Sequence, residues 1–254
     1  MTENFYDSLA PHYKMLYPDW DASVARQADA LDSVIREYFG EGTKTLVDVA
    51  CGIGTQSIGL AKYGYRVSAS DISSGEIDQA KREAFRHQVD IQFQVGDMRQ
   101  VWDVYQHQFD ILIACDNAVP HLLTDAEILQ AFQQFHKTIK DGGGCMISVR
   151  DYAQLERKQG EKKFYPRRVQ EIENGQIVLF DIWDFYDEDH YEITTYLLND
   201  DTEHVKTTAI RGGKYYCVKI PTLETLLLKA GFQDVMVLRE RFFQPLLVAR
   251  KGKY

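Results

Sequence analysis

Val47-Asp48-Val49-Ala50-Cys51-Gly52-Ile53-Gly54-Thr55-Gln56 joins an apolar run to a glycine turn and then to helix-forming residues. Glycines let the backbone approach a ligand where a Cβ would collide, and the helix start that follows presents free N–H groups. A strand, a tight turn and a helix therefore build one wall of a ligand crevice. Asp71 follows Gly52 by 19 residues and closes the next apolar run. A carboxylate there can accept hydrogen bonds from ribose hydroxyls, which implies a cofactor carrying a nucleoside. A dinucleotide fingerprint would need a third glycine where Ser57 stands, so nicotinamide cofactors are disfavoured.

Outward from this turn the apolar spacing alternates between two periods. Thr45 to Ala50, Arg66 to Ser70, Ile91 to Val95, Phe109 to Cys115 and Gly144 to Val149 read as strands; Gln56 to Tyr63, Gly75 to His87 and Asp125 to Lys140 read as helices. Such alternation predicts a mostly parallel sheet covered on both faces. Val24, Ala28, Leu31, Ile35 and Phe39 lie three or four apart, as in an amphipathic helix stopped by Gly40 and Gly42. From Lys163 to Val218 the pattern becomes a β meander with turns at Glu173-Asn174-Gly175, Asp187-Glu188-Asp189, Asn199-Asp200-Asp201 and Arg211-Gly212-Gly213. A helix from Leu223 to Ala230 and strands around Val235 to Leu238 and Pro245 to Arg250 finish the chain. The expected parts are a helical cover over 1–43, a cofactor-binding core over 44–162, an antiparallel β insertion over 163–219 on the substrate side, and 220–254 completing the core sheet.

The 254 residues carry a formal charge of -9 with 44% hydrophobic residues, which suits a globular protein and argues against a nucleic-acid partner. Part of that acidity is local: Asp184 to His204 holds eight acidic residues and no Lys or Arg, as expected of a solvated hairpin face. The four cysteines form no C-x-x-C pair, so neither a zinc site nor a disulfide framework is expected. No apolar run approaches a membrane span and no leader pattern opens the chain, so the expectation is a cytoplasmic protein without a membrane partner.

With Gly96-Asp97-Met98 after the third strand, these motifs resemble those of class I S-adenosylmethionine-dependent methyltransferases. The resemblance spans essentially the whole chain. It implies a Rossmann-like seven-stranded methyltransferase sheet, mostly parallel with helices on both faces, carrying an antiparallel β insertion after the fifth strand. It also implies S-adenosylmethionine as cofactor, without a metal. Asp71 would bind the ribose, Asp97 and Met98 the adenine, and Ala50, Cys51, Gly52, Gly54, Ile72 and Cys115 would form the walls. In structural terms alone, Asp71 could cap Ile72-Ser73-Ser74 and Asp97 the next short helix.

Within the class the likeness is to glycine and sarcosine N-methyltransferases. Their D-V-A-C-G-x-G is matched by Asp48 to Gly54, and their G-N-S-x-x-H-L by Asp116-Asn117-Ala118-Val119-Pro120-His121-Leu122, where Asp116 and Ala118 depart. Their R-N-Y-D reads Arg150-Asp151-Tyr152-Ala153. The resemblance implies Asn117 and His121 at the reacting centre, and Arg150, Tyr152 and Tyr216 at the substrate. It adds Arg26, 24 residues before Ala50, on the cofactor's methionine carboxylate, and Tyr6 and Tyr17 beside the cofactor within an aromatic cover. A guanidinium grips a carboxylate bidentately, so Arg150 would orient an amino acid, unless Asp151 or another acid pairs with it. The expected reaction is methyl transfer to the amine of a small amino acid such as glycine or sarcosine. An O- or C-methyltransferase and a non-catalytic cofactor-binding regulator are the alternatives, and the oligomeric state is open.

Overall fold

The computed structural model describes residues 2–253. Its centre is a seven-stranded sheet of β1 (Thr45–Asp48), β2 (Arg66–Asp71), β3 (Gln92–Val95), β4 (Phe109–Ala114), β5 (Ile139–Ser148), β10 (Gln233–Leu238) and β11 (Leu246–Arg250). The strand order is β3-β2-β1-β4-β5-β11-β10, and β11 alone runs antiparallel to its neighbours. β1 to β5 pair in parallel, as the strand-helix alternation predicts. Helices α3 (Thr55–Lys62), α4 (Ser74–Arg86), α5 (Val101–Tyr105) and α6 (Asp125–Thr138) connect them. Helix α6 stops earlier than its spacing suggests because Ile139 pairs with Phe109, so β5 begins at once; the bulge that follows carries the Gly142-Gly143 turn.

Period-two alternation sorts the apolar side chains of the sheet onto two faces. Val47, Leu112, Ile147 and Leu247 pack with α6 and α7 (Ile220–Lys229), through Phe132, Phe135 and Leu227. Leu46, Ile111, Ile113, Met146 and Val248 pack with Leu31, Val34 and Ile35 of α2 (Trp20–Phe39). α2 also lies tightly on α3: a Cβ on Gly59 would stand 2.6 Å from the Ala28 Cβ and 2.8 Å from the Val24 carbonyl oxygen. Only glycine permits that approach.

Strands β6 (Lys162–Ile172), β7 (Gly175–Asp184), β8 (His190–Asp200) and β9 (Val205–Tyr216) form a separate antiparallel sheet in simple meander order. Its inner face, with Trp183, Tyr191, Ile193, Ile210 and Tyr215, is covered by Phe5 and Leu9 of α1 (Thr2–Leu9). A 3-10 segment, Ala10–Leu16, then leads the chain over the crevice toward α2. The acidic stretch of the insertion is partly tied down, with Asp187 bonded to His190 and Asp184 to Lys162.

Candidate active site

The sheet reverses direction of build between β1 and β4, and in such folds ligands bind outside the carboxyl ends of the strands at this switch point. A cavity of about 430 Å³ lies there, walled by Val49 to Gly52 after β1, Asp71 and Ile72 after β2, Gly96 to Met98 after β3, and Cys115 and Asp116 after β4. The turn that makes the first wall has Gly52 at φ 52° and Gly54 at φ 91°, left-handed values suited to glycine. Gly54 heads α3 and faces its Ile58 side chain rather than the cavity, so its work is in the turn.

The carboxylates bind this turn together. Asp48 accepts from the Ala50 N–H at 3.3 Å and the Ser57 hydroxyl at 2.7 Å, so Ser57 replaces a glycine with a tether. Asp71 accepts from Gly52 N–H at 2.9 Å and Ser73 N–H at 3.0 Å while still facing the cavity. It therefore both closes a local turn and presents a carboxyl group to the cavity. Asp97 likewise caps the short turn after β3 through Arg99 N–H at 2.8 Å and pairs with the Arg99 guanidinium at 2.6 Å. Burial pushes Asp48 up to about 7 and also raises Asp71.

A second cavity, about 810 Å³, adjoins the first and shares Tyr6, Tyr13, Tyr17 and Asp116 with it. Arg150 lines it from just beyond β5. Its guanidinium lies 4.8 Å over the Trp183 ring and 5.8 Å from the Tyr215 ring, and donates to the Tyr191 hydroxyl at 3.0 Å. Among the described residues no carboxylate pairs with it, since Asp151 is taken by Arg239 at 2.7 Å. The exposed Arg167 also faces this cavity but is held by buried Asp181 at 2.6 Å.

Of the side chains expected at the reacting centre, the substrate and the cofactor, Asn117, Tyr152, Tyr216 and Arg26 line no part of the crevice. Asn117 is 1% exposed and lines neither cavity; its Oδ1 accepts from Arg150 N–H at 2.9 Å and its Nδ2 donates to the Tyr152 hydroxyl at 2.8 Å. Tyr152 is equally buried, bonded to Tyr191 beneath Arg150. Both support the arginine from behind rather than touching a ligand. Tyr216 faces away, donating to Asp125 at 3.0 Å, because successive residues of β9 point to opposite faces. Tyr215 takes its place, its ring 4.0 Å from that of His121. Arg26 is exposed and lines the larger cavity rather than the crevice, donating to the Ser23 hydroxyl at 2.8 Å.

His121 lines the crevice with both ring nitrogens engaged. Nδ1 lies 2.8 Å from the Lys214 carbonyl, which can only accept, so Nδ1 carries the proton. Nε2 then accepts from the Tyr6 hydroxyl at 2.7 Å, and Tyr6 in turn accepts from Tyr215 at 3.1 Å. Loss of hydration lowers His121 to about 4, so the imidazole is neutral. It fixes the Tyr6 cover, and its Nε2 is not free to take a proton from a ligand. Glu76, unremarked in sequence, is wholly buried on the first turn of α4, with both oxygens lacking a hydrogen-bond partner. Its Oε2 lies 3.6 Å from where a Cβ on Gly52 would stand. Burial, then Asp71 and Asp7, push this carboxyl well above its ordinary value. The serine-to-glutamate spacing from Ser73 was the available signal, but spacing alone cannot place the glutamate beneath the glycine turn.

The crevice fits S-adenosylmethionine in kind: an acid at the end of β2, apolar Ile72, Met98 and Leu122, small Ala50, Cys51 and Cys115, and tyrosines toward the larger cavity. Among the described residues no cluster of three or more His, Cys, Asp or Glu is arranged to hold a metal, and no helix is long and apolar enough to cross a membrane. Residues 46–143 match a family described as a methyltransferase domain. A putative methyltransferase of Geobacillus sp. (strain WCH70) is 29% identical over 150 residues, 57% of this chain and 57% of that protein. A glycine/sarcosine N-methyltransferase of Parasynechococcus marenigrum is 26% identical over 137 residues, 54% of this chain and 48% of that protein. The chain thus spans about half the length of the curated relatives it matches. CalS10, an amino pentose methyltransferase from Micromonospora echinaspora solved with S-adenosylmethionine bound, has the same fold at a TM-score of 0.76, with 17% identity and 95% of each chain covered. With the sheet order and the glycine turn in place, residues 46–143 thus carry a methyltransferase domain, similar in sequence to known methyltransferases and alike in fold to one solved with S-adenosylmethionine bound.

Proposed function

We propose that the protein methylates the amine of a small molecule that also carries an acidic group, with glycine and sarcosine as the smallest members of that class. The observation that carries this reading is Arg150: a guanidinium set among aromatic rings, without a carboxylate partner among the described residues, facing a cavity that adjoins the cofactor crevice. A cation so placed favours a bidentate carboxylate guest. When bound, S-adenosylmethionine supplies a methyl group on a cationic sulfur with its leaving group already activated. The chain need only align the acceptor and exclude water. Asp71 and Asp97 would hold the nucleoside, and Ile72 and Met98 its base. Tyr6, Tyr13 and Tyr17 would shield the meeting point of the two cavities, where phenol faces suit a cationic centre. Asn117, Tyr152 and Tyr191 would keep Arg150 in place.

The larger cavity exceeds what glycine fills; about 300–1,000 Å³ is the range of pockets that enclose drug-sized ligands. Acceptors up to the size of an amino sugar or an aromatic amino acid therefore belong in the same trial. Four buried free thiols are consistent with a reducing, cytoplasmic setting. The test is release of S-adenosylhomocysteine from S-adenosylmethionine with a panel of glycine, sarcosine, dimethylglycine, aromatic amino acids, amino sugars, phenols and keto acids. Turnover confined to phenols or keto acids would replace the amine reading with O- or C-methylation. Tight cofactor binding with no turnover on any of them would favour a regulatory protein.

A further inference from the structure

Asp116 is the one charged side chain among the described residues that faces both cavities; the other residues common to them are three tyrosines. Its backbone lies in the left-handed region at φ 56°, followed by Asn117 at φ 65°. Glycine takes that conformation freely, and glycine stands at this place in the motif quoted above. A side chain held there against the backbone preference points to a task for the side chain. The carboxylate is also loosely held. Oδ2 accepts from the Tyr17 hydroxyl at 3.2 Å and Oδ1 from Gln244 Nε2 at 3.4 Å, with no Lys or Arg in ion-pair range among the described residues. Arg150 faces the same larger cavity and feels the Asp116 charge. One cavity thus carries a cation on its wall and an anion at its junction with the crevice.

We propose that Asp116 binds the ammonium of the acceptor and takes its proton, so that the cavity selects a bipolar acceptor with its acid at Arg150 and its amine at the junction. This rests on the amine-acceptor reading above. The ammonium proton passes to an Asp116 oxygen. The freed nitrogen lone pair then forms the N–C bond as the C–S bond breaks and its electron pair stays on sulfur, leaving a neutral thioether and a methylated ammonium that carries the positive charge. The proton leaves Asp116 for solvent through the larger cavity. Its neighbours at the junction cannot substitute as bases: burial raises the phenols of Tyr6, Tyr13 and Tyr17, and the Nε2 of His121 is occupied by Tyr6.

Two variants separate charge from backbone. Asp116→Asn keeps the shape and tolerates the left-handed conformation, and Asp116→Gly relieves it. Both should fold, the glycine variant melting no lower than the wild type, and both should bind S-adenosylhomocysteine within about twofold of it. By calorimetry, each should lower the preference for S-adenosylmethionine over S-adenosylhomocysteine about fivefold, because a nearby anion favours the charged sulfonium over the neutral thioether. For amine acceptors kcat/KM should fall about a hundredfold near neutral pH, and the loss should shrink as the pH rises and free amine replaces ammonium. An unchanged cofactor preference in the folded asparagine variant, or amine turnover within about threefold of wild type, would overturn the proposal. If the wild type methylates only phenols or keto acids, the amine role falls together with the proposed function. A preserved amine activity in the variants would instead leave that function standing and remove Asp116 alone.

Discussion

At the scale of single residues, Arg150 and Asp71 face different cavities, so the tasks proposed for them can be separated by mutation. Arg150→Ala should raise the acceptor KM by about tenfold or more, the cost of losing a charge-assisted pair, while calorimetry shows cofactor affinity unchanged. Arg150→Lys should recover only part of it, since an ammonium lacks the planar fork. Equal KM values for all three proteins would remove the carboxylate-holding role. Asp71→Ala should instead weaken cofactor binding by about tenfold through lost ribose bonds, and wild-type affinity would count against it. The glycine turn, Asp71 and Arg150 were legible as a pattern because each sits at a strand end, where residue type and spacing suffice. Asn117 and Tyr152 were not: their chemistry suits a reacting centre, yet their side chains turn inward to brace Arg150.

At the scale of elements, β9 and α1 decide what surrounds the junction. The Tyr215-Tyr216 pair could not be assigned from order alone, because the register of one strand determines which tyrosine faces inward. Tyr215→Phe should lose the hydroxyl bonded to Tyr6 and lower turnover by a few-fold, whereas Tyr216→Phe should leave acceptor kinetics unchanged. A larger effect at Tyr216 would reverse this assignment. α1 is held down through Asp7, whose Oδ1 accepts from Ser73 Oγ at 2.6 Å and Gly75 N–H at 2.9 Å at the start of α4. An anion is favoured at a helix N-terminus, so Asp7→Ala should cost about 1 kcal/mol. Hydrogen exchange over residues 2–16 should quicken and S-adenosylhomocysteine should dissociate faster; unchanged exchange there would show that Phe5 and Leu9 alone hold the helix.

At the scale of the whole molecule, buried titrating groups of opposite sign shape stability. Asp48 sits at about 7 when folded, because burial outweighs its bonds to Ser57 and Ala50, and near its ordinary acidic value when unfolded. The folded chain therefore keeps a proton the unfolded chain gives up, and this group's contribution is full below pH ~4 and lost as pH rises through about 7. Glu76 acts in the same direction. His121, lowered to about 4, acts oppositely: its contribution is present above pH ~6.5 and lost as pH falls through about 4. Relative to wild type, Asp48→Asn should gain on the order of 3 kcal/mol between pH ~4 and ~8 in urea titrations; a difference independent of pH would show that Asp48 is ionised throughout. The sequence by itself determined the strand-helix alternation, the turn at Gly52, the acid at Asp71 and the class of cofactor, because periodicity and backbone freedom are local properties. Only the tertiary structure decided that Asp116 rather than Asn117 faces the junction, that Tyr215 rather than Tyr216 joins it, and that Glu76 lies beneath the glycine turn. Each of these depends on strand register or on a left-handed backbone step that brings distant segments together, and residue order does not encode which way such a side chain turns.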